Sequence, residues 1–434
     1  MFNILNLIEK KKKNEKISES EFADFIKAVV NKTVADYQIT AFLMCIYFNK
    51  LDEDETYYLT KAMVYSGKVL KWPQNIVNLV DKHSTGGIGD KVSLILLPLL
   101  SALNVNVAKM SGRGLGYTGG TIDKLDSIGF NTSLDFNQAY QILLQNKFFV
   151  MQQTNEIVPA DKILYSLRDT SGTVNNVSLI VSSIMSKKIA TNADIIYLDA
   201  KVGECAFFKN LEEAKVFGLL CIKIGQKFNK KVVVHYTDMD KPLGRSLGNL
   251  IEVKEAIDFL QNKFDCLYLK ELIFEFVKDI LIDLKMVQNQ DQAYAAINNV
   301  LQNQEAIKRF LKWNQLQNGR LTTFDSLQNI YQPKYSKTIF ASKSGYLKYK
   351  SNQELGLILI DLKAGRKQKG DALDFDAGLY LNKYNGEKVE VGQEIITIYS
   401  SSPISQEIVK KVEGNIEIRS EKIQLNKTIL GVSK

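Results

Sequence analysis

Cysteine and histidine are both scarce in this sequence, and each scarcity closes off a class of chemistry. The four cysteines, Cys45, Cys205, Cys221 and Cys266, lie far apart with no C-x-x-C pair among them. That spacing argues against a disulfide-stapled scaffold and reads as reduced thiols in a cytoplasmic protein. The two histidines, His83 and His235, are too few and too distant in sequence for a zinc site. Long apolar runs are also missing: none reaches the roughly eighteen residues of a membrane-spanning helix, so no membrane partner is expected. The N-terminal MFNILNLIEKKKK places its charges after its apolar residues, the reverse of a secretory signal.

What is present is a globular composition. With 45% hydrophobic residues over 434 positions, the chain is large enough for two or three domains. A net charge of +8 raises nucleic acid as a partner. The lysines are instead interleaved with acids, apart from Lys10 to Lys13, a run that reads as a solvated helix face. An anion-binding enzyme accounts for the balance, and no nucleic-acid partner is expected.

Along the chain, residues 1–66 read as helices. Ser18 with Glu21 and Asp52 with Glu55 form capping boxes ahead of amphipathic segments. Val69 to Pro73 reads as a hinge into an apolar strand at 76–80. Strands and helices then alternate to about residue 155, as in a parallel α/β sheet. A helical patch over 159–192 interrupts the alternation and is assigned with residues 1–66 to one small helical domain. Strands resume at Ile195–Leu198 and Val232–Val234, with a helix between them from Leu211 to Phe228, and helices dominate from 247 to about 318. From about 335 short strands among glycine turns mark a C-terminal α+β domain. The expected fold is therefore α/β, with a helical domain of two segments (1–66, 159–192), a large α/β domain with a mainly parallel sheet (70–158, 193–334) and a C-terminal α+β domain (335–434).

The chemistry concentrates between Asp81 and Thr121. Lys82, His83, Ser84 and Thr85 are followed by Gly86, Gly87 and Gly89, then by an apolar segment from Val92 to Leu103. A strand, a glycine turn and a helix aim backbone N–H groups and a positive dipole end at one spot, with Lys82 and the hydroxyls as further donors. The pattern repeats: a strand at 105–108 leads to Lys109, Ser111, Gly112-Arg113-Gly114, then Gly119-Gly120-Thr121. Two such turns side by side make a phosphate cradle. Neither the P-loop spacing nor G-x-G-x-x-G is present.

The string DKHSTGG…SGRGLGYTGGTIDKLD closely resembles the KHSTGG…SGRGLGHTGGTxDKLE signature of the thymidine and pyrimidine-nucleoside phosphorylases. The C-terminal Ala364-Gly365-Arg366 matches their GAGR motif, so the resemblance covers nearly the whole chain. It implies inorganic phosphate as co-substrate, bound by Lys82, Ser84, Gly86, Ser93, Lys109, Ser111 and Thr121. It implies a pyrimidine base read by Arg168, in Tyr165-Ser166-Leu167-Arg168-Asp169, and by Ser183 and Lys187, which four-residue spacing places on one helix face. His83 is the implied general acid, with Arg168 and Lys187 stabilising the leaving base; Phe207 either packs against the base or belongs to the core, and His235 is structural. A monovalent cation, usually potassium, is implied at Gly89, Lys91, Leu243, Ser246 and Glu255; Lys91 is a departure, and either its main-chain carbonyl still serves as a ligand or its ammonium displaces the ion. Tyr117, Gly172, Asn175-Asn176 and Glu204-Cys205 are further departures. The implied activity is reversible phosphorolysis of uridine, thymidine and deoxyuridine by a homodimer joined through the helical domain, with cleft closure. A strict thymidine phosphorylase and an anthranilate-type phosphoribosyltransferase are the competing readings.

Overall fold

The computed structural model describes residues 2–114, 119–368 and 370–434. Helices α1 (Ile4–Lys12), α2 (Glu19–Val30), α3 (Asp36–Asn49) and α4 (Glu53–Val64) pack with α8 (Pro159–Ser171) and α9 (Val177–Ala190). The capping boxes begin α2 and α4 as their sequences dictate. Glu55 does more than cap: its Oε1 also accepts from Lys11 Nζ at 2.9 Å and from the Ile17 N–H at 3.0 Å. Lys11 is 2% exposed, so the lysine run is not wholly a solvated face. Helical periodicity places Lys11 above Ile4 and Leu7, and the buried Glu55 makes that position tolerable.

The α/β body is built on a six-stranded sheet. Its strands are β1 (Leu79–Ser84), β2 (Asn106–Ser111), β3 (Phe148–Gln152), β4 (Ile195–Val202), β5 (Lys231–Asp238) and β13 (Ile429–Ser433), in the order β13-β5-β4-β1-β2-β3. The first five are parallel and β13 is antiparallel to β5. Helix α5 (Val92–Ala102), buried from Val92 to Ser101, covers one face together with α11 (Leu250–Leu260), α12 (Leu267–Asp283), α13 (Gln290–Gln302) and α14 (Glu305–Leu316). Helix α10 (Leu211–Lys227) and α9 cover β4 and β5 on the other. The shorter α6 (Thr121–Asp126) and α7 (Phe136–Asn146) lie between β2 and β3 in the chain.

Two smaller sheets follow. Strand β6 (Ser246–Gly248) joins β9 (Gly378–Leu381), β11 (Glu394–Ser400) and β7 (Tyr335–Phe340), and β8 (Gly345–Tyr349) lies between β10 (Lys388–Val389) and β12 (Ile416–Arg419). Helices α15 (Asn352–Asp361) and α16 (Gln406–Gly414) complete the C-terminal part.

Three placements differ from the sequence reading. The first strand runs over 79–84 rather than 76–80, and the second over 106–111 rather than 105–108, so Lys82, His83, Ser84, Lys109 and Ser111 sit on strands, not in the turns after them. Residues 429–433 leave the C-terminal unit and pair with β5. Residues 246–248 pair with β9 of that unit.

Candidate active site

The chain runs outward from β1 to β2 and β3, then returns through the helical domain to β4 on the other side of β1. Such a reversal opens a crevice beyond the carboxyl ends of the strands, the usual ligand site of an open α/β sheet. Lys82, His83 and Ser84 lie at that end of β1, Lys109 and Ser111 at that end of β2, and Asp199 and Lys201 on β4.

Strand alternation divides the residues of β1 between its two faces. On one face Lys82 Nζ pairs with Asp199 Oδ2 at 3.0 Å. Asp199 is fully buried, also meets Lys201 Nζ at 2.9 Å, and accepts from the Thr237 hydroxyl at 2.6 Å. On the opposite face Asp81 accepts from Lys188 Nζ at 3.0 and 3.1 Å, while Lys188 also donates to the Met110 carbonyl at 3.0 Å. Lys109 Nζ donates to the Lys82 carbonyl at 2.7 Å. Burial and the neighbouring Lys188 bring the pKa of Lys109 down to about 7. His83, half-buried on the Asp81 face, is held well below its ordinary value by burial and by Lys188, Lys109, Lys187 and Lys82. Its imidazole is therefore neutral at pH 7.

The glycine turn continues from Ser84, whose hydroxyl accepts from the Gly86 N–H at 3.1 Å. Gly86 has φ of +88° and nothing within 4 Å of where a Cβ would sit, so the main chain there is open to a ligand. Gly89, at φ +78°, allows no side chain, because a Cβ would stand 2.5 Å from the Leu243 carbonyl oxygen. Beyond it Val92 and the buried Ser93 open α5. Asp90 stands among these donors as well. Burial opposes its charge, yet Lys82, Lys201 and the Ser84 hydroxyl hold its pKa below the carboxylate range. Thr121 begins α6, where Asp123 accepts from the Gly114 N–H at 2.7 Å and from Arg366 of the C-terminal part at 2.7 Å.

The helical side supplies the second group. Ser183 and Lys187 do share a face of α9, and Lys187 Nζ donates to Ser183 Oγ at 3.0 Å and to Asp161 Oδ2. Arg168 is 3% exposed, and three of its N–H groups go to carbonyls, those of Thr173 at 3.4 Å, Leu179 at 3.1 Å and Val174 at 2.7 Å. Two of its five N–H groups are left over from these carbonyls. Arg168 and Lys187 both feel the Asp161 carboxylate, which gathers the two cations.

Three of the implied cation ligands, Leu243, Ser246 and Glu255, converge, but on the side chain of Lys91. Lys91 Nζ lies 2.6 Å from the Leu243 carbonyl, 3.0 Å from the Ser246 carbonyl and 3.0 Å from Glu255 Oε2. An ammonium occupies the place where those oxygens meet, so the residues present do not fit a potassium ion.

Models of three families match the chain. The glycosyl transferase family helical bundle domain covers residues 5–67, the glycosyl transferase family a/b domain residues 77–307, and the pyrimidine nucleoside phosphorylase C-terminal domain residues 346–419. A thymidine phosphorylase from Mycoplasmoides pirum is 47% identical over 96% of this chain and 100% of its own length. A pyrimidine-nucleoside phosphorylase from Staphylococcus haemolyticus is 38% identical over 96% of each.

The chain belongs to the thymidine and pyrimidine-nucleoside phosphorylase family. As a member of that family it is a pentosyltransferase. An anthranilate phosphoribosyltransferase from Thermus thermophilus superposes with a TM-score of 0.59 over 72% of this chain and 99% of that one, at 14% identity. That likeness is one of fold alone.

Several residues packed at this candidate site escaped the sequence reading. Asp199 and Lys201 carried a signal: two charges, two apart, on one face of the otherwise apolar IIYLDAKV. Asp161 and Lys188 carried none, being charges on helices whose partners are remote in sequence. The departures also find uses. Gly172, at φ +69°, ends α8, and Asn176 caps α9 through the Leu179 N–H at 3.1 Å. Glu204 accepts from the Ser351 hydroxyl and, at 2.9 Å, from the Asn352 N–H at the start of α15. Cys205 is buried and its thiol is pushed up to about 12. Phe207 is 39% exposed, hence no core aromatic. His235 is buried on β5 with Nε2 2.6 Å from Asp279. Tyr117 lies outside the described residues.

Proposed function

We propose that this chain catalyses the reversible phosphorolysis of uridine, thymidine and deoxyuridine, yielding the free pyrimidine and ribose or deoxyribose 1-phosphate, in nucleoside salvage or catabolism. The observation that carries the reading is the division of β1, with Lys82 and Ser84 on one face and His83 on the opposite face near Lys187 and Lys188 of α9. A substrate with an anionic end and a carbonyl-bearing ring fits across that division.

In the reaction, phosphate is held by Lys82, Ser84, Gly86, Ser93, Lys109, Ser111 and Thr121. A phosphate oxygen bonds to C1′ as the C1′–N1 bond breaks, and the electron pair of that bond leaves with the pyrimidine. The departing charge spreads onto the ring carbonyls, where Lys187, Ser183 and the unspent N–H groups of Arg168 stabilise it. A bound phosphate dianion offsets the surrounding lysines, so His83, neutral in the free enzyme, takes up a proton from solvent; the resulting imidazolium then donates a hydrogen bond, and finally that proton, to the departing base. Asp161 fixes the Lys187 ammonium in place. The base side belongs to the helical domain and the phosphate side to the sheet, so turnover requires the cleft to close.

The active form is a cytoplasmic homodimer. Leu5, Tyr37, Phe48 and Tyr65 are exposed apolar residues of the helical domain and support an interface there.

The test is a phosphate-dependent assay with uridine, thymidine and cytidine in parallel, at low and high salt. Uridine and thymidine are expected to be cleaved with comparable efficiency, cytidine poorly, and little salt dependence should appear. The narrower reading, strict deoxyribose preference, draws on the relative at 47% identity being called a thymidine phosphorylase; no cleavage of uridine would establish it. No phosphate-dependent release of base from any of the three would overturn the proposal.

A further inference from the structure

Lys91 is placed against the expectation for a helix entrance. It stands at the cap of α5, where the helix dipole disfavours a cation, yet its side chain is fully buried. Its ammonium has three N–H donors and meets three oxygens, the carbonyls of Leu243 and Ser246 and Oε2 of Glu255. Glu255 is oriented from its other side by the N–H groups of Arg245 and Ser246, each at 2.8 Å. The backbone is shaped around the nitrogen: a Cβ at Gly244, whose φ is +83°, would stand 2.5 Å from Lys91 Nζ.

We propose that the Lys91 ammonium is an internal monovalent cation, a covalently attached substitute for a bound alkali ion, which frees this chain from any requirement for potassium. An alkali ion and Nζ cannot share the point where these oxygens converge. A bound ion stabilises a protein only in proportion to its occupancy, whereas a tethered ammonium is present at every salt composition. The crosslink joins three parts of the molecule. Lys91 ends the glycine turn that begins at Gly86, Leu243 and Ser246 lead into β6 of the C-terminal sheet, and Glu255 belongs to α11. Lys91 thereby fixes the open turn at Gly86 without itself facing a substrate.

The experiment compares wild type, Lys91→Thr and Lys91→Met in potassium chloride and in tetramethylammonium chloride at equal ionic strength, reading Tm and, separately, the phosphate KM. Wild type should show the same Tm in both salts to within about 1 °C and no saturable response to potassium. Lys91→Thr opens the space beside the three oxygens, so its Tm should fall by several degrees in tetramethylammonium and recover by at least half as potassium is titrated in. Lys91→Met fills that space without charge and should not recover. A saturable rise of the wild-type Tm with potassium would overturn the proposal, as would a Lys91→Thr variant that is unaffected, or destabilised without recovery. If Lys91→Thr fails to fold, the wild-type titration decides alone. Thermal unfolding involves no turnover, so the result is independent of the substrate assignment.

Discussion

Replacing Lys188 with Met removes the ammonium that neutralises Asp81 while keeping most of the side-chain volume. Lys188 is 1% exposed and Asp81 fully buried. Without the lysine the carboxylate retains one partner, the Thr191 hydroxyl at 3.1 Å, and the Met110 carbonyl loses its donor. Breaking one side of a buried ion pair costs about 3–5 kcal/mol, and an orphaned carbonyl about 1–3 kcal/mol. The two losses share one ammonium and do not add, so about 4 kcal/mol is expected in total. With an unfolding entropy of about 2.1 cal/mol/K per residue over 434 residues, that is a Tm lower by about 4 °C when the chain unfolds as one unit. The assay is thermal and urea unfolding followed by circular dichroism, with Asp81→Asn/Lys188→Met measured alongside. The double variant removes both charges and should recover more than half of the loss, because a neutral replacement of a buried pair is often nearly neutral in stability. A loss under about 1 kcal/mol in the single variant, or a double variant no better than the single, would refute the reasoning. The same substitution removes one of the charges that depress His83. With two histidines in the chain, proton NMR should resolve an upward move in the His83 titration.

On the proposed mechanism, Lys82→Ala should raise the phosphate KM and lower kcat together; normal phosphate saturation would misplace the cradle. On the same proposed mechanism both Lys187 and Arg168 act on one developing charge, so Lys187→Ala and Arg168→Ala should each cost about 2–4 kcal/mol in kcat/KM, non-additively. Arg168→Ala alone should also lower Tm, as it releases the carbonyls of Thr173, Val174 and Leu179, and an unchanged Tm would contradict that geometry. Lys109, ordinarily near 10.4 but brought to about 7, binds less proton in the folded than in the unfolded state between those values. Its contribution to stability therefore rises with pH from about 7 to about 10. Urea midpoints at both ends of that window should show a smaller rise for Lys109→Met than for wild type, and equal rises would sink the argument.

The sequence made local features legible and left remote ones hidden. The capping boxes at Ser18 and Asp52 and the helical spacing of Ser183 and Lys187 follow from residues three or four apart, and the structure shows them. The first glycine turn was visible because Gly86 and Gly89 take positive φ, a conformation most other residues avoid. The strand limits shifted because β1 carries Lys82, His83 and Ser84, polar residues that read as the start of a turn. A strand end can hold such residues when β4 presents Asp199 and Lys201 beside them. Lys11 read as solvated because Glu55, which buries it, lies 44 positions away. Arg168 read as an arm toward the base, since no local pattern announces that three carbonyls from Thr173, Val174 and Leu179 turn back onto it. The C-terminal ILGVS offers too short a run for periodicity to assign it to a sheet built from residues 79–238.

That last strand has a consequence for how the protein is made. Its partner β5 is KVVVHYTD, eight residues long and buried from Val232 onward. Until residues 429–433 arrive, β5 is an unpaired apolar edge, the kind of surface on which chains join one another. About 190 residues separate the end of β5 from the start of β13. At roughly 5–20 residues per second of synthesis, the edge stays open on the ribosome for about 10–40 s. The nascent chain is therefore most prone to aggregate after its central sheet has been translated and before its final strand has emerged.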